Sequence, residues 1–231
     1  MQTLINTFLV VLAAIFPVVN PPGSALVFLG LTSTWTPDIR RALARRVAFN
    51  SLLVLVCSFL LGALILQFYG ISIPVLRVAG GFVVAVAGWK LLNEGSHKDI
   101  EASPNSTPLG DPLSQAFYPL TLPLTTGPGT IAVVISIGIS RATFTEPADE
   151  LLFIFGSLAA VAVIACAILL CFSYADRIRR ILGQGGTDIA VRLSAFILFC
   201  LGVQILWSGV SELLVAVLQH GSIPSPPKPM G

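Results

Sequence analysis

The chain has 231 residues, of which 55% are hydrophobic and only 10% are charged, and its mean hydropathy is +0.90. Soluble domains carry about 25% charged residues, so the composition excludes an ordinary soluble protein. The net charge of +2 is too small to indicate a nucleic-acid partner, and no basic stripe interleaves with aromatic residues.

Long intervals of the chain contain no charged residue: 1–37, 47–76, 112–140 and 151–175. A membrane-spanning helix needs about 20 apolar residues, and every interval is longer than that. A transmembrane β-barrel would show strands of about 10 residues that alternate apolar and polar side chains, whereas the Leu, Val and Ala runs here do not alternate. The sequence therefore predicts an all-α polytopic membrane protein, with the lipid bilayer as the partner of its surface.

Hydropathy predicts six transmembrane helices in chain order, at about 4–31, 47–69, 74–92, 117–139, 151–174 and 190–214. These divide the chain into a first three-helix repeat (1–92), a polar cytoplasmic linker (93–116), a second three-helix repeat (117–215) and a disordered tail (216–231). The linker is rich in Ser, Pro and Gly, and the tail is rich in Pro.

The two halves resemble each other in sequence. Residues 16–25 (FPVVNPPGSA) align with residues 122–131 (LPLTTGPGTI) at an offset of 106, and 75–78 (VLRV) align with 190–193 (AVRL) at an offset of 115. Each half has three segments, an odd number, so the halves must have opposite orientations. The sequence predicts an inverted repeat, an arrangement common in secondary transporters.

Proline-containing motifs, 20–23 (NPPG) and 126–129 (TGPG), interrupt the first helix of each half near the membrane midplane. Asn20 or Thr126 is expected as an N-cap, with proline in the first turn of a new half-helix. The helix start then offers N–H groups and a positive dipole end to a small ligand with a carboxylate. The predicted substrate-binding residues are Asn20, Pro22, Gly23, Ser24, Thr125, Thr126, Gly127, Gly129 and Thr130.

Alternatives remain open for each of these residues. The paired breaks can be kinks used only for packing. The hydroxyls of Thr121, Thr125 and Thr130, and that of Ser24, can bond to a carbonyl one turn earlier instead of to a ligand.

Arg77 and Arg192 occupy matching positions at the starts of the third and sixth segments. One interpretation is a gate or a contact with an anionic group, and the other is a snorkelling arginine at the interface. Glu212, near the outer end of the sixth segment, is expected to pair with a lysine or arginine, and the alternative is that it carries a coupling proton.

Small residues form one face of the third segment: Gly80, Gly81, Ala85 and Gly88. Such a face is suited to close helix packing, and it also permits a homo-oligomer. All four cysteines lie in apolar runs and are expected as buried free thiols: Cys57, Cys166, Cys171 and Cys200.

Enzyme signatures are missing from the sequence. His97 and His220 are isolated in polar segments, so no metal site or histidine-based catalytic site is predicted. Neither an H-E-x-x-H nor a G-x-S-x-G pattern occurs. The expectation is a protein that is not an enzyme and has no cofactor.

Positive charge predicts the orientation in the membrane. Connections one, three and five contain nine Lys and Arg residues, against three or four on the other side. Because cytoplasmic loops carry the excess of positive charge, the odd-numbered connections are predicted to be cytoplasmic and both termini to lie outside.

Several of these runs resemble the MarC family of bacterial inner-membrane proteins. They are Asn20-Pro21, residues 68–81 (FYGISIPVLRVAGG), residues 123–132 (PLTTGPGTIA), and Gly185-Gly186 followed by Arg192 and 202–204 (GVQ). The resemblance covers about residues 4–215. It implies six spans in the bacterial inner membrane, both termini in the periplasm, and kinship with transporters of neutral amino acids.

The function expected from these observations is secondary transport of small neutral amino acids or similar metabolites. The alternative is a non-transporting scaffold, or a partner subunit of a membrane complex.

The predicted topology has a direct test. Reporter fusions in the linker at 93–115 and at the C-terminal tail are expected to give opposite readings, with the linker in the cytoplasm. A cytoplasmic reading from a tail reporter on the full-length protein would contradict the six-span arrangement.

Overall fold

A computed structural model describes residues 2–32, 34–93, 112–140, 144 and 146–220. The described residues are helical almost throughout. The helices are α1 (Gln2–Val19), α2 (Pro21–Leu31), α3 (Pro37–Tyr69), α4 (Ile73–Asn93), α5 (Pro128–Ile139), α6 (Pro147–Ser173) and α7 (Ala175–His220). A 3-10 turn (Pro112–Ala116) and a π-helical segment (Phe117–Thr125) precede α5.

Five runs in the described part of the chain are long and apolar enough to cross a membrane: Thr3–Leu31, Pro37–Tyr69, Ile73–Asn93, Pro147–Ser173 and Gly185–Gln219. A sixth crossing results if Pro112–Thr125 and Pro128–Ile139, which are bent by 71°, form one span. The prediction of an all-α polytopic membrane protein is confirmed. Its arrangement as two inverted repeats stays a prediction.

The ends of α3 follow from its sequence. Thr36 is extended and Pro37 occupies the first helical position, where its missing N–H costs nothing. At the other end Gly70 adopts φ 64°, a left-handed conformation that glycine takes without a Cβ clash. This turn lets Ile71 donate its N–H to the carbonyl of Leu66 at 2.9 Å, which closes the helix within three residues of α4.

Most of the buried core lies among α1, α2, α3, α5 and α6. Ile15, Leu55 and Ile164 are fully buried there, and the rings of Phe28 and Phe172 stack with their centroids 4.6 Å apart. Lipid tails are as apolar as these side chains, so close van der Waals contact, rather than escape from water, holds such helices together.

The helices α4 and α7 pack antiparallel with their backbones in contact. A Cβ on Gly81 would overlap the backbone nitrogen of Leu206, and a Cβ on Gly202 would overlap the backbone nitrogen of Ala85. The predicted close-packing face on the third segment is therefore confirmed. The glycines that meet it from α7 lie seven residues apart, at Gly202 and Gly209.

The prediction that the cysteines are buried is wrong. All four are free thiols, and Cys57, Cys166 and Cys200 are exposed, while Cys171 is partly buried. In a membrane protein an apolar run has a lipid-facing side as well as an interior side. Hydropathy alone does not separate the two.

Two other predictions concern the ends of the repeats. Residues 94–111 of the predicted linker and 221–231 of the predicted tail lie outside the described residues. Within the described residues α7 continues to His220, whereas the sequence placed the start of the tail at residue 216.

The glycine contact between α4 and α7 predicts a specific loss of stability. Gly202→Ala is expected to lower the free energy of unfolding by about 1–3 kcal/mol, because the helices must move apart to admit the methyl group. The matched control is Gly30→Ala in α2, where a Cβ meets nothing within 4 Å and alanine is the better helix former. Thermal unfolding in detergent measures both, and equal melting temperatures would contradict the contact.

Candidate functional site

The first chain interruption is one residue long. Asn20 has φ 46° and ψ 60°, the one non-glycine residue with positive φ in the described part of the chain, and it separates α1 from α2. Its N–H donates to the carbonyl of Phe16 at 2.9 Å, and its carbonyl accepts from the N–H of Ser24 at 2.9 Å. Its side-chain oxygen accepts from the N–H of Gly23 at 3.3 Å, so Asn20 caps α2.

Gly23 is required by this cap. A Cβ at Gly23 would overlap the side-chain amide of Asn20, so any other residue would displace the capping group. The neighbouring Ser24 is buried, and its hydroxyl donates to the carbonyl of Val19 at 3.0 Å. The carbonyl of Val19, the last residue of α1, is thereby paired.

The second interruption is wider. The π-helical segment contains two residues with non-helical angles, Tyr118 and Leu122. The whole stretch Pro112–Thr125 is bent by 71° relative to α5, across Thr126 and Gly127. The expectation that Thr126 caps the new helix is wrong, because Gly127 is the N-cap. Pro128 occupies the first helical position and forces the residue before it to be extended, so the cap moves one residue along the chain.

Backbone donors differ between the two helix starts. In α2 the first two residues are prolines without an N–H, and Asn20 accepts from the next two donors. In α5 only Pro128 lacks an N–H, and Ile131 donates to the carbonyl of Gly127 at 3.1 Å. No acceptor among the described residues is paired with the N–H groups of Gly129 and Thr130. The free backbone donors are therefore at α5.

The threonines before α5 use their hydroxyls locally. Thr121 donates to the carbonyl of Ala116 at 2.7 Å, and Thr125 donates to that of Leu120 at 2.8 Å. Each bond spans five residues, as the wide π-helical turn requires. In this conformation the two hydroxyls satisfy backbone carbonyls, the alternative left open by the sequence.

Thr126 differs from these two. Its side chain is fully buried, and its hydroxyl has no hydrogen-bond partner within the described residues. Buried polar groups are normally paired. Thr130, one turn further along, is 3% exposed. Within the described residues, the start of α5 therefore combines an unpaired hydroxyl with two unpaired N–H groups.

A cavity of about 280 Å³ lies beside the first interruption. It is close in volume to the lower end of small-molecule sites, about 300 Å³. Its polar lining comes from Asn20, Ser24 and Lys90, and its apolar lining comes mainly from α1, α2, α4 and the segment before α5. Pro123 and Leu124 belong to that segment, so residues near both interruptions meet at one cavity.

The structure divides the predicted binding residues into two groups. Asn20, Gly23 and Ser24 line the cavity. The others are not among its lining residues: Pro22, Thr125, Thr126, Gly127, Gly129 and Thr130.

Gly129 faces α4 rather than the cavity. A Cβ at this position would overlap the side chain of Val84 and lie 3.0 Å from the carbonyl oxygen of Gly80. The glycine is therefore needed for helix packing.

Lys90 was not predicted as part of the site. It lies in the last turn of α4, where the sequence indicated only a residue at the edge of a cytoplasmic connection. The packing of α4 against the first interruption brings it to the cavity, and no local sequence signal carries that information.

Arg77 connects three helices at the opposite end of α4. Its guanidinium donates twice to the hydroxyl of Ser136 in α5, at 3.0 and 2.8 Å, and forms an ion pair with Glu212 in α7. The expected pairing of Glu212 with a basic residue is confirmed.

Arg192 lies elsewhere. The antiparallel packing of α4 and α7 places Arg192 beyond Ala195, which contacts Gly88 near the other end of α4. The two arginines are thus at opposite ends of the helix pair, and a gating role for either stays a prediction.

Comparisons with known proteins agree on one family. The profile described as "MarC family integral membrane protein" matches residues 5–214. The inner membrane protein MarC of Salmonella typhimurium (strain LT2) is 33% identical over 209 residues, covering 88% of this chain and 93% of the relative. The proteins of the same name from Citrobacter koseri and Escherichia coli O1:K1 are 32% and 33% identical over the same length. No solved structure gives a significant match.

The Arg77 ion pair predicts an energetic coupling. The side chains of Arg77 and Glu212 are 30% and 43% exposed, so Arg77→Gln and Glu212→Gln are each expected to cost about 0.5–1 kcal/mol of stability. The double variant should lose less than the sum of the two. Arg192→Gln is the control, since Arg192 has no ion pair within the described residues. Strict additivity in thermal unfolding would rule the coupling out.

Proposed function

The chain belongs to the MarC family of integral inner-membrane proteins, and from this premise we propose that it is a secondary transporter of small neutral amino acids or similar metabolites. The observation that carries the proposal is the 280 Å³ cavity, where residues near two helix interruptions meet. In transporters, helices interrupted at the membrane midplane commonly form the substrate site.

The lining of the cavity suits a small carboxylate. The ammonium group of Lys90 and the positive end of the α2 dipole both attract negative charge. Val18, Val27 and Leu198 supply apolar walls for a short aliphatic side chain. No Asp or Glu is among the lining residues that the structure describes, so a basic amino acid would find no counter-charge.

We place this cavity within two inverted three-helix repeats, with helices one and four broken near the midplane. The helix contacts support this arrangement. The symmetry between the repeats would place α1–α2 in correspondence with α5, α3 with α6, and α4 with α7. Under it, the contact of α1 with α6 corresponds to the contact of α5 with α3. The contact of α4 with α5 corresponds to the contact of α7 with α2. All four of these pairs are in contact, as are α3–α6 and α4–α7.

The second interruption has the free hydrogen-bond donors that the first interruption lacks. Asn20 occupies the available donors of α2, whereas the N–H groups of Gly129 and Thr130 and the hydroxyl of Thr126 are unpaired among the described residues. In this proposal the start of α5 receives the polar end of a substrate when the repeats move relative to each other. In the conformation seen here it packs against α4.

Transport by proteoliposomes tests the proposal. Purified protein is reconstituted, and the uptake of radiolabelled alanine, serine and leucine is measured under imposed ion gradients. Lys90→Gln is expected to lower kcat/KM about tenfold or more, because a charge-assisted contact with the carboxylate is lost. Asn20→Gly keeps the left-handed backbone accessible but removes the polar side chain, and should also reduce uptake.

Arg46→Gln is the matched control, since it removes a positive charge that does not line the cavity. If both cavity variants transport like wild type while folding normally, the cavity is not the substrate site. Absence of uptake for every labelled compound by the wild-type protein would instead favour a non-transporting subunit.

A further inference from the structure

A second, larger cavity lies at the end of the helix bundle. Its volume is about 650 Å³. It is bounded by the last turn of α2, the first turns of α3, the last turn of α6 and the first turns of α7. Three of the candidate spans begin or end there, at Leu31, Pro37 and Ser173, so the cavity lies at the level of the lipid headgroups.

Arginines from two helices converge on this cavity. Arg41 and Arg45 are four residues apart on α3, and Arg177 and Arg180 are three residues apart on α7, so each pair shares one helix face. Arg40 is the fifth arginine of the lining. The first turns of α7 are set apart from its membrane span by Gly183, where φ is 66°.

The positive charge is only partly balanced. Arg40 pairs with Asp176 at 3.0 Å, and Arg41 lies 3.7 Å from Asp38, whose side chain is 93% exposed. Asp176 is the one acidic residue among the lining residues described. The Nε of Arg40 is buried without a partner within the described part of the chain.

One of the other arginines of the lining is partly paired, since the Nε of Arg180 donates to the backbone carbonyl of Asp176 at 3.4 Å. No ion pair among the described residues involves Arg45, Arg177 or Arg180. The cavity therefore presents guanidinium groups that lack a protein counter-ion.

Apolar side chains also line the cavity. They are Phe28 and Leu29, which belong to the buried core, and Leu170, which is 56% exposed. A soluble anion gains no favourable contact from an exposed leucine. A ligand with a charged head and an apolar body matches both surfaces.

We infer that this cavity binds a phosphate group, and that the phosphate is carried by an anionic phospholipid of the surrounding bilayer. Guanidinium groups form bidentate hydrogen bonds to phosphate oxygens and shed water more readily than ammonium groups. Basic cavities between membrane helices on the cytoplasmic side bind such headgroups. The lipid links α3 to the first turns of α7 beside the Arg40–Asp176 ion pair.

The test uses the full-length protein in a neutral detergent and three probes. These are phosphatidylglycerol, phosphatidylcholine, and inorganic phosphate without a lipid tail. Native mass spectrometry counts bound lipid, and thermal unfolding reports the stabilisation that binding produces. We expect retention of phosphatidylglycerol, little retention of phosphatidylcholine, and no stabilisation by inorganic phosphate at the same concentration.

A pair of charge-matched variants locates the site. Arg45→Gln with Arg180→Gln removes two lining arginines that hold no ion pair, and is expected to raise the Kd for phosphatidylglycerol about ten- to thirtyfold. Arg46→Gln with Arg179→Gln removes the same charge from neighbouring positions outside the lining, and should change the Kd much less.

Three results would overturn the inference. They are equal losses of affinity in the two double variants, equal retention of both lipids by the wild-type protein, and equal stabilisation by inorganic phosphate, which would indicate a site for soluble anions. The Arg40–Asp176 ion pair is intact in both double variants. Each is therefore expected to fold, and the melting temperature without lipid verifies this.

Discussion

Backbone hydrogen bonding away from water is the constraint on which this fold depends. A chain inside a bilayer has no solvent to pair with a free N–H or carbonyl, so a helix is interrupted only where other groups take over its bonds or where the free groups are enclosed by protein or line a cavity. At the first interruption Asn20 pairs its own N–H, carbonyl and side-chain oxygen. At the second, the N–H of Thr126 donates to the carbonyl of Thr121 at 2.8 Å, and threonine hydroxyls pair two further carbonyls.

The same constraint explains why two similar motifs differ in chemistry. Two prolines and a side-chain cap leave α2 with no free donor in its first turn, while one proline and a glycine cap leave two donors at α5 that have no partner in the described part of the chain. The second motif has Thr126 where the first has Asn20, and Gly127 where the first has Pro21. These two differences determine which helix start has donors available to a ligand. In an alignment of the two halves these differences look minor, but they change the number of free backbone N–H groups at the helix start.

Properties that depend on local pattern were predictable from the sequence, and those that depend on packing were not. The spans follow from runs without charge, and the glycine face of α4 follows from residue size. The cap of α5 was misplaced by one residue, because the alignment with Asn20 outweighed the effect of Pro128 on its neighbour. The place of Lys90 at the cavity and the exposure of Cys57 depend on which helices meet, and no alignment of the two halves contains that information.

The few charges of this chain also bear on the smaller cavity. Arg77 is matched by Glu212, and Arg40 is matched by Asp176. Lys90 has no ion pair within the described residues, although it lines a cavity with mostly apolar walls. Lys90 is exposed, so its ammonium group attracts an anion to the mouth of the cavity through an interaction that salt partly screens. No carboxylate from the described lining provides a counter-ion. In the function proposed above, the carboxylate of the substrate takes that place, and the positive end of the α2 dipole at Asn20 adds to the attraction.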